Sequence, residues 1–284
     1  MKRFLYTIIS VMAVLPMMAQ DDCTTATATI TFYRNGSPTP EYDTYYFSVS
    51  SSKKVVFAPG NVYLKNEVLS FFDTQYEYKH NRDGYTDLFN YTTNTGYWND
   101  RTINGKTGTW YNLSKEEWDY LIPTNLNDHD DCTKCTKSNW FGSHRENGDN
   151  LWAGARIYPN NDKTGGSYVN GLIILPDNWV CPDGISFIPS ACADGRCSAQ
   201  NNYNLTEWER LEEAGAIFLP AAGSTTGQDN ECMIYMSNTA NGDSNYYMLC
   251  SCQDFSPKWE GGGSVSKDRG SAVRLVRNAV VPAP

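Results

Sequence analysis

The stretch Asn204–Gly223, NLTEWERLEEAGAIFLPAAG, limits what this chain can become more than any other. Asn204 is a good N-cap. Glu207, three positions on, can return its carboxylate to the cap's backbone N–H. Tyr203 and Trp208 take the hydrophobic-staple positions, and Leu205, Trp208 and Leu211 recur every three residues as one apolar stripe. Gly215 stands where a left-handed residue ends a helix. Ala216-Ile217-Phe218-Leu219 follows, apolar throughout and stopped by Pro220, which predicts a short buried strand. The small residues Ala221-Ala222-Gly223 predict close packing against another backbone. Residues 113–121, LSKEEWDYL, repeat the form: a Ser-x-x-Glu capping box, Leu113 and Trp118 as the staple, and Pro123 as the stop. The two segments predict a pair of short amphipathic helices on one core.

Around them the sequence predicts short strands. Residues 47–50 and 54–57 are strand-like, and a turn at 58–61 leads into a hairpin over 62–64 and 69–72. Further strands are expected at 172–175, at 185–188 and at 272–277. Residues 233–236 and 246–250 flank Asn241-Gly242, a strong hairpin signal. The aromatic, turn-rich stretches 73–110 and 124–168 are expected to be ordered loops. The sum is an α+β class, with two helices among small twisted antiparallel sheets.

The N-terminus bears on compartment. Lys2-Arg3, an apolar run from Phe4 to Pro16 and Met17-Met18-Ala19-Gln20 read as a cleaved secretory signal over residues 1–19. Residues 20–45 read as a Thr-rich extension with one strand at 27–32, residues 46–278 as the main domain, and 279–284 as a tail. The protein is thus expected to be exported, to the periplasm, the cell surface or the medium. No later run is long enough to cross a membrane. Loss of Lys2 and Arg3 with the signal would move the net charge from −9 to −11. An acidic chain without basic runs repels phosphate backbones, so nucleic acid is not an expected partner.

Nine cysteines remain after residue 19. In an exported protein the default reading is disulfides, and the odd count leaves at least one unpaired or joined to another chain. Cys192 and Cys197 flank a tight loop, and Cys232 and Cys250 bracket the late hairpin. His129-x2-Cys132-x2-Cys135 has zinc-like spacing but stands alone, and a disulfide loop is the preferred reading. Asn81-x-Asp83-Gly84-x2-Asp87 has the flavour of a calcium loop but lacks the closing Glu, and reads as a turn. His80, His129 and His144 fall in irregular regions without a nucleophile motif, so no catalytic set emerges and no cofactor is implied.

The order of five motifs is distinctive: FSVSSSKKVVFAPGN, LSKEEWDYL, GLIILPDNWVCPDGISF, WERLEEAGAIFLPAAG and SAVRLVR. Over residues 46–278 it resembles a group of secreted gut-bacterial proteins with a C-type-lectin-like domain. The version is that of formylglycine-generating enzymes and of retroelement variable proteins. Where that group commonly carries Tyr-Trp-Ser-Ser, this chain has Ile234-Tyr235-Met236-Ser237. The resemblance implies ligand binding by the later loops and strands. Residues of the right chemistry there are Tyr235, Asn238, Asp243, Asn245, Tyr247, Trp259 and Arg269. The expected function is a non-catalytic secreted or surface module that binds a protein or glycan. A structural assembly protein of the cell surface is the alternative. An oxidase of the formylglycine-generating type is disfavoured, because Cys192-x4-Cys197 precedes the second helix instead of following it.

Overall fold

The computed structural model describes residues 33–34, 37–38, 42–90, 98, 100–104, 106–107, 109–122, 152–187, 201–227, 229–241, 245–252, 258–260 and 268–282. The chain divides into two units, Met1–Pro40 and Glu41–Pro284. In the first, β1 (Tyr33–Arg34) pairs antiparallel with β2 (Ser37–Pro38). The strand expected at 27–32 lies outside the described residues.

The second unit is a mixed α+β structure with two helices and several small, mostly antiparallel sheets among the described residues. Strands β3 (Phe47–Ser48) and β4 (Lys54–Phe57) form a hairpin whose other edge is closed by β16 (Val276–Asn278). A second hairpin joins β5 (Val62–Lys65) to β6 (Val68–Phe71), and a third, small one joins β7 (Thr102–Ile103) to β8 (Lys106–Thr107). Helix α1 (Lys115–Leu121) comes next, then β9 (Trp152–Tyr158), β10 (Val169–Ile174) and β11 (Asn202–Asn204). Helix α2 (Leu205–Glu213) leads into β12 (Ile217–Pro220). These build the largest sheet, in the order β11-β9-β10-β12, with β11 parallel to β9 and the other pairs antiparallel. The last sheet is the meander β13 (Cys232–Asn241), β14 (Asn245–Cys252) and β15 (Lys258–Glu260).

Both helices are shorter than an isolated helix can sustain, so caps and packing hold them. Each capping box is complete: Ser114 accepts from Glu117 N while Glu117 accepts from Ser114 N, and Asn204 and Glu207 do the same. The staple pairs Leu113–Trp118 and Tyr203–Trp208 are all buried. At the end of α2, Gly215 N donates to Glu212 O and Ala216 N to Leu211 O, a Schellman closure with Gly215 at φ +90°. The chain then turns directly into β12, whose four residues are all buried.

The free edge of β12 is satisfied by side chains. Gln75 stands in for a neighbouring strand: its Oε1 accepts from Phe218 N (2.8 Å) and its Nε2 donates to Ala216 O (3.1 Å). Arg274, fully buried, donates to Phe218 O, Gln75 O, Ala58 O and Asn61 Oδ1. A buried edge strand cannot leave its polar groups unpaired, and these two side chains supply the partners. Three clusters of buried side chains surround this frame, one centred on Trp118, Trp152 and Tyr235, one on Phe71, Trp98 and Trp110, and one on Trp208 and Phe218.

Several expectations change. The loop expected over 124–168 holds β9, and the strand expected at 185–188 is absent over its described residues, where Ile185 N closes a turn on Pro182 O. The last strand is confined to 276–278, preceded by single bridges at Ser271 and Ala272. Residues 41–45 belong to the second unit and not to the extension, because Asp43 accepts hydrogen bonds from Arg277 and from Val280 N. The same contact draws the segment read as a tail into the unit.

Candidate functional site

Of the residues singled out in the late strands, Tyr235, Asn238 and Arg269 have described side-chain surroundings. Tyr235 is fully buried in the core, where its hydroxyl bonds to Asn61 and lies near Arg274, so it offers nothing to a ligand in this structure. Asn238 is exposed, but its Nδ2 donates to Asn112 O and its N–H to Leu113 O, which fixes the approach to α1. Arg269 donates to Ser224 Oγ, in the turn over 224–227. Asn245, Tyr247 and Trp259 lie on β14 and β15, with Asn245 opposite Asn241 and Trp259 opposite Leu249. Asp243 lies outside the described residues, as do His129, Cys132, Cys135, Cys192 and Cys197.

What the structure does assemble is a cleft of about 320 Å³ between the turn over 76–83 and Asp229. Its foundation is Gln75, anchored in β12 as described. From there Tyr76 and Tyr78 lean on different core clusters, and the chain enters a tight turn. Buried Asp87 shapes that turn: one carboxylate oxygen accepts from Lys79 N and His80 N, and the other from Asn81 N. Asn81 Oδ1 in return accepts from Asp87 N and Leu88 N. These bonds hold His80, Asn81 and Asp83 at φ values between 50° and 60°, a conformation that non-glycine residues adopt only at a cost of about 1–3 kcal/mol each. The calcium-like spacing of Asn81, Asp83 and Asp87 is therefore a turn signature. Asp87 spends its oxygens on backbone N–H groups, and no metal-holding cluster of three His, Cys, Asp or Glu occurs among the described residues.

The opposite wall comes from the loop after β12. Asn230, at φ +57°, accepts from Asn170 N and donates to Tyr168 O, which pins the loop to the start of β10 and presents Asp229. Asp229 pairs with Arg82 at 3.1 Å and accepts a hydrogen bond from Tyr78. Burial, reinforced by that carboxylate, pushes the Tyr78 hydroxyl well above the ordinary phenol range, so it is a donor at any physiological pH. Lys79 pairs with Glu77 at 3.0 Å. His80 Nδ1 lies 3.0 Å from Ala222 O. A carbonyl only accepts, so Nδ1 carries the proton, and Nε2 is left as an acceptor without a partner among the described residues.

A second hollow of about 400 Å³ lies beside the end of α2, lined by Tyr45, Cys181, Asp183, Arg210 and Glu213. Cys181 there is an exposed free thiol. Comparison with protein-family models, with curated proteins and with solved structures finds no match to this chain.

Sequence reasoning passed over Tyr76, Tyr78, Arg82 and Asp229. The run Tyr76-Glu77-Tyr78-Lys79-His80 ahead of Asn81–Gly84 is dense in aromatic and charged groups, and that density was the available signal. Its other half, Asp229, is too distant along the chain to be linked by spacing.

Proposed function

We propose that this is an exported, non-catalytic binding module with a C-type-lectin-like domain, which recognises a protein or glycan at the bacterial surface or beyond it. The motif order over residues 46–278 supports the domain type, and the two capped helices among small antiparallel sheets agree with it. One observation carries the binding reading. The aromatic and polar groups of the cleft stand on loops whose backbones are locked by side chains, the buried Gln75 and Asp87 on one wall and the half-buried Asn230 on the other. Preordered polar loops lower the entropic cost of capturing a ligand. Within the described residues no helix is long and apolar enough to span a bilayer.

The test is binding of residues 20–284 to arrays of glycans and of extracellular proteins, beside the variants Tyr247→Ala and Trp259→Ala. Reproducible saturable binding is the expected result. Its loss in those two variants, with the unfolding transition kept, would assign the surface to the late strands. Retention would direct attention to the loops over 76–83 and 224–230. A protein that binds neither array would overturn the reading in favour of cell-surface assembly.

A further inference from the structure

The cleft between Tyr78 and Asp229 has a chemistry that narrows its ligand, and this step rests on the binding-module reading above. We propose that it is a subsite for one neutral sugar residue of a glycan.

The argument begins with charge. Arg82 is neutralised by Asp229 and Lys79 by Glu77, while Asp83 adds a further negative charge. No surplus cation is left to hold a carboxylate, sulfate or phosphate. The whole chain, at −9, repels anions further. A cationic ligand would have to compete with Arg82 for Asp229, whose carboxylate already accepts from Arg82 and Tyr78.

Beside the carboxylate of Asp83, what remains is the hydrogen-bonding capacity of two charge pairs that are each neutral overall. A carboxylate has about four acceptor positions, and a guanidinium has five donors. The Arg82–Asp229 pair spends one contact between them at 3.1 Å. Side by side they offer an acceptor and a donor to adjacent hydroxyls, the group that every common sugar carries. His80 Nε2 adds an acceptor, and the tyrosine rings and Val169 supply apolar surface for the C–H face of a pyranose. At about 320 Å³ the cleft is at the small end of ligand-sized pockets, which suits one ring and not an extended peptide. The exposed position of Arg82, 65 % accessible, leaves the pair free to reach a ligand.

The experiment uses the full chain on an array that carries galactose-, mannose- and N-acetylglucosamine-terminated glycans with their sialylated and sulfated counterparts. Titration calorimetry then follows the best neutral glycan. Arg82→Met should weaken binding by about tenfold, the scale of a lost hydrogen bond to a charged group, with the unfolding temperature unchanged. Tyr78→Phe should weaken it by a smaller factor, because it removes the bond that positions Asp229 and leaves the carboxylate itself. Affinity should stay within about twofold as salt is raised, since no ion pair to the ligand is screened. Preference for sialylated or sulfated glycans would overturn the inference. So would neutral binding that survives Arg82→Met and Tyr78→Phe but is lost in Tyr247→Ala or Trp259→Ala, which leaves the binding-module reading intact. Binding to proteins alone would also overturn it. No binding to any array would overturn both.

Discussion

Arg274 shows how much one side chain can hold. It is a fully buried cation whose hydrogen bonds run to carbonyl and amide oxygens on three segments distant in sequence, at Ala58 and Asn61, at Gln75 and at Phe218. Burial pulls its pKa down to about 10, which still leaves it charged at neutral pH. Glu212, linked to it through Gln75, is held above the ordinary carboxylate range, chiefly by burial. Arg274→Met would strip donors from all of these acceptors at once. The expected loss is about 1–3 kcal/mol for each buried acceptor left unpaired, measured as a shift in the urea midpoint. Arg274→Lys, with three donors and no planar fork, should recover only part of it. Nothing local in Ala272–Arg277 announces this role. The alternation there reads as an ordinary strand with solvated basic residues, and only the fold turns Arg274 inward while Arg277 remains at the surface.

At the scale of the element, the end of α2 offers a clean comparison. A Cβ on Gly215 would sit 2.3 Å from the Tyr45 ring in a backbone already at φ +90°, whereas one on Gly184, at φ +73°, would meet open space. Gly184→Ala should therefore cost only backbone strain, about 1 kcal/mol, and Gly215→Ala distinctly more. Thermal unfolding of the two variants side by side measures the difference. The late hairpin gives a second case. The register sets Cys232 opposite Cys252, with Cys250 opposite Ile234. Peptide mapping without reduction should find Cys232 joined to Cys252, and a Cys232–Cys250 peptide would contradict that pairing. Helices, caps and hairpins were legible in the sequence because their signals lie within a few residues of one another. Strand β9 was not: as a central strand it is buried on both faces, so Trp152-Ala153-Gly154-Ala155 shows no alternation. The cleft was half legible at best. Tyr76 and Tyr78 stand out as aromatic, but Asp229, the partner of Tyr78, arrives from the loop after β12, which no pattern in the sequence connects to them.

At the scale of the whole second unit, the segment before β3 and the segment after β16 are fastened together. Arg277 holds Asp43 through both guanidinium nitrogens, and Val280 N and Asp43 N bond across the same junction. The guanidinium contact lowers the Asp43 carboxyl below its usual range. The sign follows directly: a carboxyl more acidic in the folded state stabilises that state fully above its ordinary pKa, near 4, and the contribution is lost as pH falls from there through the lowered folded-state value. Asp43→Asn should thus lose about 1 kcal/mol at pH 7 and less than that relative to the parent at pH 3. Unfolding curves at the two pH values decide it.

That junction also separates the shape of the unit from the order in which its residues are joined. Residues 42 and 281 lie beside a shared set of hydrogen bonds, while the turn at Asn66-Glu67 is exposed and tops a two-stranded hairpin. A circular permutant of the unit, with a short linker across the junction and new ends opened at 66–67, would keep every sheet pairing described within it. By the same reasoning the unit is suited to insertion as a cassette into a loop of another protein, since a host would meet its entry and exit side by side.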